Sequence, residues 1–485
     1  MAKDLYVGFD IGTTVMKAAA VEAGTGRMLA RAGLSLAVAV TPDGGREQQP
    51  DAILAALARI GGRLRRQLGP AWRRVAALGL AAQGGSAILV DGDTGQAGTP
   101  VQLWSDTRPL HLLSGIAARK TPSYWKRLSG LDGPGAGLAR IAWLRERHGR
   151  LFDHGCLYVG VGEFAYFYLT GAWRQDAGSA IQQGCYDVRK QTITEEPLTL
   201  VGLDASRVAP MRQGHQTHPL SAAGAKLLGL SADLPVAGPY MDHEAGYLSA
   251  CGVSDRPVQC SLGTAWVGNF VLPPGREPEA GLNLILPSPV GPGQMICRVM
   301  LAGNASWDWA MRSFVGGTTA RHFARAERAF DSSLLPPAGL VALPWLTRPN
   351  LLNARWLGAG GFLGVNPLTT HDDLLRAVAA GMCFEYARML KPVVDAGVVD
   401  TAMLGGGASN ASHFRSLLAG LLWPLPVVHS QDDFAGAKGT LYAFDRRVVS
   451  PQVQRVAAPP ARVRKQIAEG YESYLAACRL LGLTK

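Results

Sequence analysis

Residues 5–21 read Leu5-Tyr6-Val7-Gly8-Phe9-Asp10-Ile11-Gly12-Thr13-Thr14-Val15-Met16-Lys17-Ala18-Ala19-Ala20-Val21. The run 5–10 is apolar and ends on a carboxylate, which is the pattern of a buried strand. Residues 11–14 make a turn, the run 17–21 resumes the apolar pattern, and Gly24-Thr25-Gly26 turns again before Met28-Leu29-Ala30. Strand, turn, strand, turn, strand is a hairpin-rich start. The pattern returns in the second half. Residues 258–262 form an apolar strand, Gly263-Thr264 turns at its end, and residues 265–272 continue as a strand. A recurrence this short is weak evidence of duplication by itself. With the elements around it, it sets the expectation of two α/β halves, each a mixed sheet flanked by helices, divided near residue 250.

Between these marks the periodicities alternate. Ile53, Leu54, Leu57, Ile60, Leu64 and Leu68 recur at helical spacing. Residues 75–80 and 87–91 read as strands around the polar turn Gln83-Gly84-Gly85-Ser86. Residues 138–147 read as a helix, 156–170 as a strand and an aromatic-rich helix, and 171–187 as turn-rich. Residues 234–237 read as a short strand leading into Gly238-Pro239-Tyr240-Met241-Asp242. Later come a helix at 372–390, a strand at 401–404, the loop Gly405-Gly406-Gly407-Ala408-Ser409-Asn410, a helix near 413–422 and a closing helix at 463–481.

Composition bounds the class. Of 485 residues, 47% are hydrophobic and 18% charged, the balance of a globular chain with large cores. The opening Met1-Ala2-Lys3-Asp4-Leu5-Tyr6 has no basic stretch followed by a long apolar one, so no signal peptide is expected. No apolar run reaches the ~18 residues of a membrane helix. The seven cysteines are scattered with no C-x-x-C pair, which points to reduced thiols in a cytoplasm. The net charge of +11 includes arginines at 63, 65, 66, 73 and 74, but no nucleic-acid-binding module accompanies them, and solvated helix faces are the expectation.

Several residues offer chemistry. A strand ending in Asp10, followed by Gly12, Thr13 and Thr14, makes a turn whose N–H groups can cup phosphate oxygens. Asp10 suits a hydrated magnesium ion, which favours carboxylate, water and phosphate oxygens. A plain β-hairpin explains the same residues, and the two readings stay open here. Ser261-Leu262-Gly263-Thr264 offers the same parts from the second half. Gly405-Gly406-Gly407 lets backbone approach a flat ligand closely, but it is neither a Walker loop nor a dinucleotide fingerprint. Asp242, at the end of a short strand, is placed to accept a proton from an attacking hydroxyl, and phosphoryl transfer needs little beyond such a base, positioning and charge neutralisation. His243 and Glu244 suggest a metal cage as an alternative, which alternation along a strand opposes. Asp106 suits hydrogen bonds from sugar hydroxyls and Trp104 an apolar platform. The competing reading is an Asp106–Arg108 salt bridge with Trp104 in the core.

Taken in order, these residues resemble the FGGY family of carbohydrate kinases, the group of xylulokinase, gluconokinase and glycerol kinase. The resemblance runs from about residue 5 to about 445. It covers the turn at 8–17, Gln83-Gly84-Gly85, Trp104 to Arg108, residues 138–143, Leu169-Thr170-Gly171 with Asp176, Asp242, Ser261 to Thr264, Gly405 to Asn410 and Ala435-Gly436-Ala437-Lys438-Gly439. It implies two ribonuclease-H-like (actin-like ATPase) domains with an interdomain cleft for ATP and substrate. Residues 1–250 would be a sugar-binding domain carrying the base, 251–450 a nucleotide-binding domain, and 451–485 a helical tail. It implies Asp242 as catalytic base, with Asp10 and Asp242 at the magnesium ion. Asp10, Thr13, Thr14, Lys17, Gly263 and Thr264 would serve the phosphates, and Gly406, Gly407 and Asn410 the adenosine. Gln83, Gly84, Trp104, Asp106 and His243 would lie at the substrate. The chain departs from the family pattern at Gly84-Gly85, where xylulokinases carry Met-His and glycerol kinases Arg-Glu, at His243, where Gln or Asn is usual, and at Ala380, often Glu.

The expected activity is ATP-dependent phosphorylation of a sugar hydroxyl, with a ketopentose as first acceptor. Gluconate, a hexulose or a cyclitol are the alternatives, and an actin- or Hsp70-like ATPase without a sugar substrate is the rival of another class. The expected partners are ATP, magnesium and a small sugar or polyol, with no nucleic acid and no membrane, and a homodimer left open. The missing side chains at Gly84 and Gly85 set the expectation of a roomier acceptor pocket.

Overall fold

The computed structural model describes residues 3–279, 281–347 and 360–483. The chain forms two compact units. Unit 1 comprises Met1–Val253, Leu284–Met295 and Phe434–Pro451, and unit 2 comprises Ser254–Asn283, Ile296–Asp433 and Gln452–Lys485. The chain thus passes between the units more often than one boundary near residue 250 allows.

Unit 1 is built on a six-stranded sheet in the order Thr217–Pro219, Pro235–Met241, Val75–Ala82, Leu5–Ile11, Val15–Glu22, Met28–Ser35. Its three central strands run parallel, and the first three strands of the chain form the expected antiparallel meander. The first strand is apolar throughout because both of its faces are covered. Leu5, Val7, Phe9 and Ile11 enter a core with Ile53, Leu57, Ile60 and Leu64 of the helix Pro50–Leu68. The alternate residues, including Gly8 and Asp10, face the short helix Ala435–Gly439. A Cβ on Gly8 would lie 1.9 Å from the Ala437 carbonyl oxygen, and one on Gly439 1.9 Å from that of Ala245. Glycine at both places lets this helix sit directly on the strand and on the helix Asp242–Ala250.

The second sheet has the order Asn283–Pro287, Gln294–Met300, Trp266–Leu272, Pro257–Leu262, Thr401–Gly405, Val427–Ser430, Val453–Arg455. Its centre repeats the first: Pro257–Leu262 forms a hairpin with Trp266–Leu272 and pairs in parallel with Thr401–Gly405, which pairs in parallel with Val427–Ser430. The closing helix Ala461–Leu480 belongs to the core of unit 2, where Ile467 is buried and the Tyr474 hydroxyl donates to Glu385 Oε2 at 2.9 Å. Among the described residues no helix is long and apolar enough to cross a membrane.

Two elements differ from expectation. The strand before Asp242 extends over Pro235–Met241, and Asp242 begins a helix rather than ending a strand. The stretch 171–187, expected to be turn-rich, contains the helix Ala177–Gln183, capped by Asp176, whose Oδ1 accepts from Ser179 N at 2.8 Å.

Candidate active site

In open sheets of this kind the ligand-binding residues lie beyond the carboxyl ends of parallel strands. In unit 1 three of the residues singled out in the sequence lie at such ends. Asp10 lies at the end of Leu5–Ile11, Gln83 directly after Val75–Ala82, and Asp242 directly after Pro235–Met241. The Asp10 carboxyl is pushed up to about 7, first by burial and then by the charge of Asp242, while Lys17 opposes the rise. The charge of Asp242 is therefore felt at Asp10. Lys17 is the cross-strand partner of Asp10 and its Nζ stands 5.8 Å from the centre of the Phe434 ring. Gly436 completes the wall, since a Cβ there would lie 2.5 Å from Asp10 Oδ2.

The approach to Asp242 is held from behind. Met241 N donates to Asp176 Oδ2, and His243 N donates to Asp242 Oδ1 at 2.9 Å. His243 is half-buried beside the proposed base. Glu244 turns away into a salt bridge, its two oxygens accepting from Arg212 Nη2 at 3.0 and 3.1 Å. A cage of Asp242, His243 and Glu244 is thereby excluded, and among the described residues no three His, Cys, Asp or Glu side chains converge on a metal position.

A polar network joins the first turn to the next two. Gln83 Oε1 accepts from the Thr13 hydroxyl at 2.9 Å and from Ser86 at 3.0 Å, and its Nε2 donates to Gln48 Oε1 at 3.2 Å. Gln48 Nε2 donates to the Thr13 carbonyl at 2.7 Å, and Trp104 Nε1 donates to the Thr13 hydroxyl at 3.1 Å. The Thr13 side chain therefore belongs to the Gln83–Trp104 cluster, whereas Thr14 is exposed. Gln83, 4% exposed, holds the turn in place with an amide already engaged on both ends. Trp104 is 36% exposed and available as a platform, not a core residue. Gln48 drew no notice in the sequence, because nothing local distinguishes it.

Asp106 departs from its expected role. Its side chain is fully buried, its Oδ1 accepts from Arg108 N and Nε at 2.9 and 3.1 Å, and its Oδ2 accepts from Arg46 N, Arg108 Nε and Arg108 Nη2 at 3.1, 3.1 and 2.7 Å. Its lone pairs are spent within the protein. The space expected at Gly84 and Gly85 is likewise occupied: Cβ atoms there would lie 2.1 Å from Nε2 and 2.1 Å from Oε1 of Gln182. The pocket is not roomier at that place.

Unit 2 brings its two predicted loops together. A Cβ on Gly406 would lie 2.8 Å from the Leu262 carbonyl carbon and oxygen, so the glycine loop rests on the end of the strand that feeds Gly263 and Thr264. Asn304 ties the turn down. Its N donates to the Gly263 carbonyl at 3.1 Å, its Nδ2 to the Leu262 carbonyl at 3.4 Å, and its Oδ1 accepts from Trp266 Nε1 at 2.9 Å. Arg415 Nη1 fixes the far end of the loop through the Ser409 and Asn410 carbonyls, each at 2.7 Å. Thr264, Gly406, Gly407 and Asn410 are all exposed.

Two sheets with hairpin-fed parallel centres and polar turns at their carboxyl ends define the actin-like ATPase fold. The model of the N-terminal domain of the FGGY family of carbohydrate kinases matches residues 5–249, and the chain belongs to that family. It is a carbohydrate kinase, and kinases of this family take the phosphoryl group from ATP. The chain is 22% identical over 418 residues to the xylulose kinase of Staphylococcus epidermidis, covering 84% of this chain and 82% of that one. It is 24% identical over 424 residues to the L-fuculokinase of Salmonella typhi, covering 85% and 86%. The crystal structure of xylulose kinase from Rhodospirillum rubrum superposes with a TM-score of 0.84 at 19% identity over 99% of both chains.

Proposed function

We propose that the protein transfers the γ-phosphoryl group of ATP to a hydroxyl of a ketopentose, with Asp242 as the general base. The observation that carries this reading is that Asp10 and Asp242 stand at the carboxyl ends of two parallel strands flanking Val75–Ala82, with the charge of Asp242 felt at Asp10. One carboxylate takes the proton of the attacking hydroxyl while the other stands at the phosphate side. Two carboxylates without a third ligand suit magnesium, which takes one or two carboxylates and completes its shell with water and phosphate oxygens. Asp10 and Asp242 would hold the ion, which when bound neutralises charge on the phosphates. Lys17 and the backbone of the Gly12–Thr14 turn would serve the phosphoryl oxygens. Gly263 and Thr264 would serve phosphate, and Gly406, Gly407 and Asn410 adenosine. Trp104 offers the sugar an apolar face, and His243 a ring nitrogen, while Gln83 and Asp106 act through the turns they hold. The ketopentose is supported by the xylulose kinases among the relatives. Seven buried cysteines, none of them in a disulfide among the described residues, support a reducing compartment such as the cytoplasm.

The test is Asp242→Asn, assayed with ATP against pentuloses, hexuloses, polyols and aldonates. The expected loss in kcat is ~10²–10⁴-fold, with ATP affinity retained. A variant with near-normal kcat sinks the assignment.

A further inference from the structure

The amide that lies over Gly84 and Gly85 has a consequence for the acceptor. We infer that Gln182 selects the acceptor, and that it selects a neutral polyhydroxylated molecule over an aldonate; this rests on the sugar-kinase reading above.

The geometry begins with volume. A side chain at position 84 would meet Gln182 Nε2 at 2.1 Å, and one at 85 would meet its Oε1 at 2.1 Å. The Gln182 carboxamide thus stands where side chains of those two residues would stand, and it reaches that place from a different element. The element is rigid. The helix Ala177–Gln183 is capped by Asp176, and the other Asp176 oxygen accepts from Met241 N, the residue before Asp242. A Cβ on Gly137 would lie 2.1 Å from the Gln182 carbonyl oxygen, and one on Gly178 2.7 Å from Met241 Sδ, so the helix is clamped on two sides by backbone and sulfur. Gln182 Nε2 donates to Met241 Sδ at 3.1 Å. Thioether sulfur is a weak acceptor, so the amide keeps hydrogen-bonding capacity for a hydroxyl.

Gln182 also lines a pocket of about 230 Å³ together with Gly85, Trp104, Trp125, Arg140 and Tyr186. The pocket takes the end of the acceptor remote from the reacting hydroxyl. Among the described lining residues the one cation is Arg140, whose two terminal nitrogens are engaged, Nη1 donating to the Gly85 carbonyl at 2.6 Å and Nη2 to the Trp104 carbonyl at 3.4 Å, while its unpartnered Nε is buried. An aldonate carboxylate therefore meets no free guanidinium fork, and it approaches a site that already holds Asp10 and Asp242. A neutral hydroxyl meets an amide able both to donate and to accept. Gln182 is half-buried, and a site that hydrogen-bonds a substrate hydroxyl discriminates against the analogue that lacks it.

The experiment compares wild type with Gln182→Met, which keeps length and removes the amide, and Gln182→Arg, which adds a cation. Steady-state kinetics are run on neutral pentuloses, hexuloses and alditols, their deoxy analogues, and aldonates. Melting temperature and the KM for ATP check that the variants fold. Wild type is expected to prefer a neutral acceptor. In Gln182→Met the acceptor KM should rise about tenfold and the preference over the deoxy analogue fall about tenfold, the worth of one or two neutral hydrogen bonds. In Gln182→Arg the neutral-to-aldonate ratio of kcat/KM should narrow. An active wild type that prefers an aldonate, or a folded Gln182→Met with unchanged acceptor KM and unchanged deoxy ratio, overturns this inference and leaves the kinase reading standing. A wild type that phosphorylates no polyhydroxylated acceptor overturns both.

Discussion

Replacing Asp106 separates a structural carboxylate from a sugar ligand. In Asp106→Asn the shape is kept, but one oxygen becomes an NH₂ that faces Arg108 and the Arg46 N–H, both donors. Five hydrogen bonds to the carboxylate are lost or weakened. Arg108, whose side chain is only 11% exposed, keeps Glu47 at 2.6 Å and Asp43 at 3.4 Å. Removing one partner of a buried pair costs about 3–5 kcal/mol. Because Arg108 retains Glu47, the lower end applies, and about 3 kcal/mol is expected. At roughly 2–4 °C per kcal/mol for a domain of this size, the transition of unit 1 should fall by about 6–12 °C.

The pH dependence has a definite sign. Burial works to raise the Asp106 carboxyl, but the hydrogen bonds from Arg108 and from the Arg46 N–H outweigh it, so the group sits below its ordinary value of 3.8. Its stabilising effect is fully present above about 4 and disappears as pH falls through the lower folded value. The gap between wild type and variant should be constant from about pH 5 to 8 and close only in acid. The assay is thermal unfolding over that range, with acceptor and ATP kinetics alongside. An Asp106→Asn protein that melts with wild type at neutral pH and raises only the acceptor KM would refute this reasoning and return the carboxylate to the sugar.

Other outcomes follow from the same geometry. Gly407→Val should fold, since the nearest atom to a Cβ there is Asn304 Nδ2 at 3.6 Å, and should weaken ATP binding by about tenfold or more in calorimetry; Gly406→Val, at φ 89 and 2.8 Å from Leu262 backbone, should lose stability as well. Glu163 is fully buried and pushed up to about 7 by burial, with Asp176 adding to the rise from 4.5. Its folded form keeps a proton that the unfolded chain has released, so stability falls as pH rises from about 4.5 to about 7. Glu163→Gln should flatten that fall in denaturant titrations. Gln48→Ala strands Gln83 Nε2 and the Thr13 carbonyl, and about 2–4 kcal/mol of lost stability is expected from two unsatisfied groups.

What the sequence disclosed depended on how far apart the interacting residues lie. The opening meander was legible because a strand buried on both faces needs an unbroken apolar run, and Asp10 and Gly12 interrupt that run visibly. The recurrence at 258–272 was legible for the same reason. Asp242 was found as a carboxylate at a strand end. Its helix was missed because Met241-Asp242-His243-Glu244-Ala245-Gly246 carries no apolar stripe, and Glu244 is buried only through Arg212, thirty-two positions away. The helix Ala177–Gln183 is too short for a periodic signal, although Asp176 three residues before Ser179 is an N-cap pattern that was there to be read. The return of Phe434–Pro451 to unit 1 left only one trace, the glycines of 435–439, whose reason is the Asp10 carboxyl and the backbone of the helix Asp242–Ala250, both far away in sequence.

The acceptor site was the least legible part, and the cause is volume. Gly84-Gly85 read locally as missing bulk, and missing bulk as an enlarged pocket. That inference holds only if nothing else enters the space, and a packed interior seldom leaves such a gap. Here the bulk arrives from position 182, on a helix whose presence local periodicity did not announce, and it arrives as an amide. Two glycines and one distant glutamine form a single structural unit, so a change at 84 or 85 cannot be understood without 182. Gly84→Ser in wild type should therefore displace the amide and disturb acceptor binding, whereas in a Gln182→Ala background the serine Cβ then meets the flexible Met241 side chain, at 3.2 Å. The two substitutions should be non-additive in acceptor kcat/KM, and strict additivity would mean that the amide does not hold the position that the glycines leave for it.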